Sequence, residues 1–386
     1  MLIAVNTRFL IKDKLEGIGW FTYETMKRLT LNHPEHTFLF LFDREPDPDF
    51  IFGKNVKPLR VWPPARHPYL WKYWFDKALP RVFKKYKPDL FISTDGFLSL
   101  KTDVPTLLVI HDLGFEHYPT HTPEVVSNYY RKYTPLYAQK ADRIVTVSEF
   151  SKKDIVKNYH ISPDKVDVAY NGANDKYVPL SETEQQAVRN RTTGGKPYFL
   201  YVGSVHPRKN VKNLLLAYDL LRKEYLTENK LVIAGRMAWK TDETKLVYDS
   251  MQFKDDVIFT GHLQLSELTR LMASADAFVY PSLFEGFGIP VVEARYCGVP
   301  VITSDRSSLP EVGGSGALYF NPEDITNIKD VMKHFLMDRE NILIAARKAN
   351  NVKEIFNWDK TVNRIEDAIN SINHNFSKPR QSAEVA

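Results

Sequence analysis

The sequence has almost no cysteine: Cys297 is the single one among 386 residues. One cysteine excludes an internal disulfide and a cysteine-built zinc site, and it fits a reducing compartment. Long apolar runs are missing too. No 18 apolar residues follow one another, so no membrane span is expected. The opening MLIAVNTRFL lacks a basic lead and is interrupted by Asn6 and Arg8, which argues against a signal peptide and makes cytoplasm the expected location. Charge of one sign is scarce. The 52 Lys and Arg exceed the 47 Asp and Glu by only +5, too little for the basic stripes that track a phosphate backbone, so no nucleic-acid partner is expected. What excess there is lies before Leu180.

With 43% hydrophobic and 26% charged residues the chain is globular, and its length suits two domains around a cleft. Short β-branched and aromatic runs alternate with segments of helical period. The runs are Leu2 to Val5, Thr37 to Phe42, Leu90 to Ser93, Thr106 to Ile110, Ile144 to Val147, Tyr198 to Val202, Leu231 to Ala234, Val257 to Phe259, Ala277 to Tyr280 and Val299 to Thr303. That alternation predicts an α/β chain with two doubly wound, Rossmann-like parallel-sheet domains. The expected boundaries are 1–172, a linker over 173–196 in which Ser181 can cap a helix, and 197–359. A last helix, 360–373, is expected to pack back on the first domain, ahead of a polar tail over 374–386. A faint echo, Ala141-Asp142 to Phe150 against Ala275-Asp276 to Phe284, gives modest support to twin domains.

The most informative stretch runs from Pro281 to Ala294, after one predicted strand and into a helix. Gly286 and Gly288 permit close backbone approach, and the helix start favours an anion. Glu285 on the loop and Glu293, expected in the first helical turn, lie eight residues apart and can accept hydrogen bonds from a polyol. The plainer alternative is that Glu293 only complements the helix dipole and Glu285 is solvated. Arg208 and Lys209 follow the strand ending at Val202, where two cations would meet a diphosphate and stabilise it as it departs; the alternative is an ordinary surface pair. Gly17 and Gly19 read as a strand-to-helix turn. They supply only two of the dinucleotide fingerprint's glycines, so a nicotinamide site is poorly supported. His111 lies at the carboxyl end of a buried-looking strand, where ligands gather in open α/β sheets. Gly235-Arg236 and Gly261-His262-Leu263 follow two further strands.

The Glu285-to-Glu293 stretch resembles the EX7E motif of the retaining GT-B glycosyltransferases of family 4. Nearly the whole chain resembles that family, through Gly17-Ile18-Gly19, His111-Asp112, Val147 to Ser151, Asn171-Gly172, Gly203 to Asn210 and Pro310-Glu311 in that order. The resemblance implies a GT-B fold, a nucleotide-sugar donor bound by the carboxy-terminal domain, a glycan or lipid-linked acceptor bound by the amino-terminal domain, and transfer with retention. It assigns Glu285, Arg208, Lys209 and His111 to the reacting centre, with Glu285 and His111 beside the transferred sugar and Glu293 on the ribose. Gly17, Gly19, Gly203, Arg236, His262, Leu263, Gly286, Phe287, Gly288 and Ile289 complete the donor site. Mannose from GDP-mannose is the expected donor.

No cofactor and no metal are expected, because the two cations can do a metal's work. Asp47-Pro48-Asp49 has the spacing of a metal pair but lies in a proline-broken loop away from the other motifs. Residues 60 to 88 hold eight Lys or Arg against one Asp, with Trp71, Trp74, Phe75, Ala78, Val82 and Phe83 at helical spacing. Such a segment either covers a sheet or lies on anionic membrane. Two competing functions remain. A nucleotide-sugar epimerase needs acid and base carboxylates in the cleft, and a sugar-binding receptor of periplasmic type needs a signal peptide.

Overall fold

The computed structural model describes residues 1–236, 242–349 and 351–377. The chain divides into unit 1, Met1–Asn171 with the helix Trp358–Ser377, and unit 2, Gly172–Asn357. Unit 1 is built on β1 (Leu2–Asn6), β2 (Thr37–Phe42), β3 (Val56–Arg60), β4 (Leu90–Ser93), β5 (Thr106–Val109), β6 (Arg143–Thr146) and β7 (Val166–Val168). Unit 2 is built on β8 (Tyr198–Val202), β9 (Lys230–Ala234), β10 (Val257–Gly261), β11 (Ala277–Tyr280), β12 (Val301–Ser304) and β13 (Leu318–Phe320). The strand orders are β3-β2-β1-β4-β5-β6-β7 and β10-β9-β8-β11-β12-β13, with every pair parallel. The inner strands are buried almost throughout because helices cover both faces, which is why they read as unbroken apolar runs.

Three strands escape the sequence reading, β3, β7 and β13, and each is the last strand at one edge of its sheet. Edge strands are covered less and tolerate polar residues, as Lys57, Pro58 and Arg60 in β3 and Asp167 in β7 show. The sequence echo also has a different meaning from the one expected. It pairs β6 with β11, yet the matching sheet orders make β4 the counterpart of β11, so the echo is a coincidence of local pattern.

The stretch 173–196 is not a plain linker. It belongs to unit 2 and contains the helix Glu182–Thr193, closed at its start by a reciprocal Ser181–Glu184 capping box and ended by left-handed Gly194. The last helix runs to Ser377, four residues past the expected end, and the rest of the expected tail lies outside the described residues. This helix buries Ile365, Ala368 and Ile372 in unit 1, and Thr361 Oγ1 donates to the Tyr170 carbonyl at 2.5 Å. In the basic segment, the helices Pro68–Tyr73 and Leu79–Tyr86 flank a wider π turn, Trp74–Ala78. Trp74, Phe75, Ala78 and Phe83 are buried, so the apolar stripe packs on the core. A second set of rings faces outward, with Trp62, Tyr69 and Tyr73 exposed by 69%, 79% and 41%.

Candidate active site

In unit 2 the strand order reverses between β8 and β11, and the loops leaving their carboxyl ends lie side by side. After β8, Pro207–Lys209 forms a single 3₁₀ turn and Asn210 adopts a left-handed conformation before the helix Val211–Glu224. Main chain and side chains lock this loop to the one after β11. The Leu283 amide donates to the Arg208 carbonyl at 2.9 Å, Asn210 Nδ2 donates to the Pro281 carbonyl at 3.2 Å, and Arg208 Nη1 donates to the Phe284 carbonyl. Two residues far apart in sequence, Lys209 and Glu285, are thereby fixed against each other.

Glu285 is 7% exposed. Its Oε1 accepts from Lys209 Nζ at 2.6 Å and from the Tyr280 hydroxyl at 3.1 Å, and its Oε2 lies 3.1 Å from Arg208 Nη1. Burial alone would raise the carboxyl's pKa, but Lys209 and Arg208 outweigh it and hold the group at about 2. Lys209 also donates to the Tyr280 hydroxyl at 2.8 Å, and burial beside Glu285 pushes that phenol far above its ordinary range, so it stays a donor. Two cations, one carboxylate and a neutral phenol leave a surplus of one positive charge. From behind, Ser307 Oγ accepts the Glu285 amide, and Ser308 Oγ donates to the Glu285 and Phe287 carbonyls, both at 2.9 Å.

Glu293 is held differently. The helix Ile289–Tyr296 starts one full turn before it, so Glu293 is not in the first turn and is not a cap for the helix dipole. Burial raises its carboxyl pKa to about 7, and a hydrogen bond with the Tyr177 hydroxyl pulls only partly the other way. The two glutamates thus share a motif and differ in state: one is a fixed anion, the other titrates near neutrality.

The other expected donor residues fall around this centre in different ways. Gly288 begins the helix at φ +99°, and a Cβ there would meet Leu309 Cδ2 at 2.8 Å, so the turn needs its glycine. Gly203 ends β8, and a Cβ on Gly235 would come within 2.1 Å of the Gly203 carbonyl oxygen. This contact brings the loops after β8 and β9 together. Gly286 is buried and Ile289 half-buried; Phe287 is buried against Phe356, with ring centroids 5.5 Å apart, so its main chain, not its ring, borders the site. Arg236 and His262 are exposed and Leu263 is half-buried, on the loops after β9 and β10.

In unit 1, His111 follows β5, and its Nε2 donates to the Thr94 carbonyl at 2.8 Å. Burial lowers its pKa, so the ring is neutral near pH 7 and Nδ1 is the acceptor. Phe21 meets its face edge-on, and Ser151 Oγ donates to its carbonyl at 3.2 Å. The Val147-to-Ser151 motif therefore supports His111 through the helix that Ser148 caps. Gly17 and Gly19 do not form a loop ahead of the helix. They lie in the first turn of Gly17–Asn32, with Gly17 exposed and Gly19 buried. Asp47 and Asp49 both pair with Lys12 Nζ, at 3.5 and 2.8 Å.

Family profiles match both halves: Glycosyltransferase Family 4 over residues 15–177, and Glycosyl transferases group 1 over residues 182–354. The chain belongs to the family 4 glycosyltransferases. Among its relatives, O-antigen chain mannosyltransferase B of Escherichia coli is 28% identical over 362 residues, covering 90% of this chain and 94% of the relative. O-antigen chain mannosyltransferase RfbU of Salmonella typhimurium is 29% identical over 311 residues, covering 79% and 80%. Among solved structures, Anabaena HepE in complex with UDP-glucose matches with a TM-score of 0.72 at 16% identity, over 96% of this chain and 100% of that one. That likeness agrees with the GT-B fold of this glycosyltransferase.

Several residues of the clusters in the two units escape the sequence reading. Tyr280 stood out only as the end of a strand, and Tyr177 only as part of a linker. Ser307 and Ser308 carry no motif. Arg8, in sequence no more than a break in an apolar run, forms a buried ion pair with Asp95.

Proposed function

We propose that this glycosyltransferase moves mannose from GDP-mannose to a hydroxyl of a glycan acceptor, carried on a lipid, with retention and without a metal. The observation that carries the donor half of this reading is the Arg208–Lys209–Glu285 cluster at the strand reversal of unit 2. Its surplus positive charge suits a diphosphate, and charge developing on the departing group strengthens that interaction in the transition state. Arg208 and Lys209 take the place a divalent cation would fill. Glu285, ionised at any physiological pH, is no proton donor; it accepts sugar hydroxyls and stabilises positive charge developing at the anomeric carbon. That assignment supports transfer over acid-catalysed hydrolysis. Glu293 faces the ribose, and His111, as a neutral acceptor, faces the donor sugar. The names of the two O-antigen relatives support mannose and a glycan acceptor.

Mass spectrometry of products formed from a panel of nucleotide sugars and mannose-terminated oligosaccharides tests the reaction, run with and without EDTA. The reading expects mannosyl transfer from GDP-mannose that survives EDTA; transfer only from another donor, or activity abolished by EDTA and restored by Mn²⁺, contradicts it.

We also propose peripheral contact with anionic membrane through Trp62, Tyr69 and Tyr73, whose exposed rings lie among Arg66, Lys72, Lys77 and Arg81. No helix among the described residues is long and apolar enough to cross a membrane. Charge reversal at Lys77, Arg81 and Lys84 is expected to weaken co-sedimentation with phosphatidylserine vesicles at low salt, and unchanged binding contradicts the contact.

A further inference from the structure

Unit 1 repeats the arrangement of unit 2 with a different charge. Its strand order reverses between β1 and β4, and Arg8 follows the first of these while Asp95 follows the second. Arg8 is 5% exposed, and its Nε donates to Asp95 Oδ2 at 2.5 Å. Its guanidinium lies 4.1 Å from the ring centre of Phe97, 5.2 Å from Phe75, 5.3 Å from Phe9 and 5.9 Å from Trp71. Asp95 is held in turn, its Oδ1 accepting from the Phe97 amide at 3.2 Å and from Ser93 Oγ at 3.3 Å. Neither Nη nitrogen of Arg8 donates to a protein group among the described residues.

Two further polar atoms are in the same condition. The Tyr130 hydroxyl, on the helix Glu124–Lys140, has no hydrogen-bond partner among the described residues, and neither has His111 Nδ1. Tyr130 is half-buried, stacked on Trp71 at 6.0 Å, and its phenol feels the charges of Arg8 and Asp95 after the dominant effect of burial. His111 feels Asp95 as well, and its Nε2 is anchored one residue away, on Thr94. So a forked donor, a hydroxyl and an imidazole acceptor gather at the carboxyl ends of β1, β4 and β5, beside the half-exposed rings of Phe9, Trp71 and Tyr130. A donor fork, a hydroxyl and an acceptor match the hydroxyls of a pyranose, and aromatic faces match its C–H surface. Asp95 neutralises Arg8, which disfavours an anion as the occupant.

We propose that Arg8 and Tyr130 form the subsite for the neutral sugar residue of the acceptor that receives the transferred sugar, with Asp95 as the residue that positions Arg8 and with His111, kept for the donor sugar, at its edge. This inference rests on the glycosyltransferase reading above, and deepens it by naming the acceptor's contacts. Binding can be measured apart from turnover, by saturation-transfer NMR of methyl α-mannopyranoside on the full chain with GDP saturating.

The wild type is expected to give a mannoside signal that 10 mM inorganic phosphate leaves in place, about 5 to 10-fold weaker affinity in Tyr130→Phe, and a larger loss in Arg8→Lys, which keeps the charge but not the fork. In transfer assays Tyr130→Phe is expected to raise the acceptor KM by a similar factor and to leave the donor KM within about twofold. Tyr130→Phe keeps the ring and the packing, so it carries the test even where Arg8→Lys fails to fold. An unchanged mannoside affinity in Tyr130→Phe, displacement of the mannoside by phosphate, or a change confined to the donor KM overturns the subsite. Failure to bind GDP with the mannoside signal intact contradicts the donor reading instead and leaves the subsite standing.

Discussion

The cluster at the strand reversal of unit 1 and the cluster at the reversal of unit 2 occupy matching places but carry different charge. In each, a cation follows the first strand of its sheet and a carboxylate follows the strand that crosses over to pair with it. Arg8 and Asp95 are one against one, walled by aromatic rings and 4% and 1% exposed at their side chains. Arg208 and Lys209 are two against Glu285, with side chains 25% and 16% exposed. The first is a neutral pair that orients donors. The second keeps a surplus charge within reach of solvent. The same winding thus yields a place suited to an uncharged sugar and a place suited to a diphosphate, and the number of cations decides which.

The comparison breaks most visibly at its buried end. Asp95→Asn strands the Arg8 charge among rings, which is expected to lower folding stability by about 3 to 5 kcal/mol in urea unfolding, the scale of a buried pair losing one partner. Glu285→Gln leaves two cations that still reach solvent, so its loss is expected to be smaller. Equal losses would mean that exposure does not separate the two clusters.

Next in size is Lys209→Ala, expected to lower turnover by about 10² to 10³ through loss of a preorganised charge on the leaving group, with a smaller effect on donor affinity. Steady-state kinetics decide it: a change confined to KM would make the lysine a uniform binder.

The smallest effect lies within unit 2, between its two glutamates. Glu293 titrates near 7 because of burial, and in the proposed ribose role its ionised form is the better acceptor of the hydroxyls. In the unliganded protein the native state holds a proton that the unfolded state has released, so this group's contribution to stability falls as pH rises from about 4.5 to 7. Nucleotide affinity runs the opposite way, rising through that range, with a proton released on binding at pH 6. Calorimetry in buffers of different ionisation enthalpy measures the release. Glu293→Gln is expected to abolish it and to weaken nucleotide binding by about 1.5 to 3 kcal/mol, and Tyr177→Phe to move the midpoint upward. A pH-independent wild type would refute the assignment.

The central strands, and the loops that meet at the reversal of unit 2, were legible because both depend on local sequence. Strands covered on both faces must be apolar throughout, as Phe199 to Val202 and Phe278 to Tyr280 are, and a loop that holds an anion needs glycine and cations close together in sequence. What was not legible depends on partners distant in the chain. The edge strands β3, β7 and β13 are too polar or too short to stand out. Tyr280 matters because the fold brings it to Lys209, 71 residues away. Arg8 matters because Asp95, 87 residues on, meets it across the strand reversal. The opposite states of Glu285 and Glu293 follow from their neighbours, which the eight-residue spacing does not reveal.

The central claim is that the two cations at the reversal of unit 2 hold the departing diphosphate while Glu285 acts on the sugar, and titration of free GDP into wild type and Glu285→Gln tests it most directly. GDP lacks the sugar, and removal of the carboxylate takes away a negative charge while keeping the positive charges of Arg208 and Lys209 in place to meet it. GDP is therefore expected to bind Glu285→Gln at least as tightly as wild type, while turnover of the intact donor collapses. Binding of GDP weakened by about tenfold or more, with turnover retained, would contradict the account.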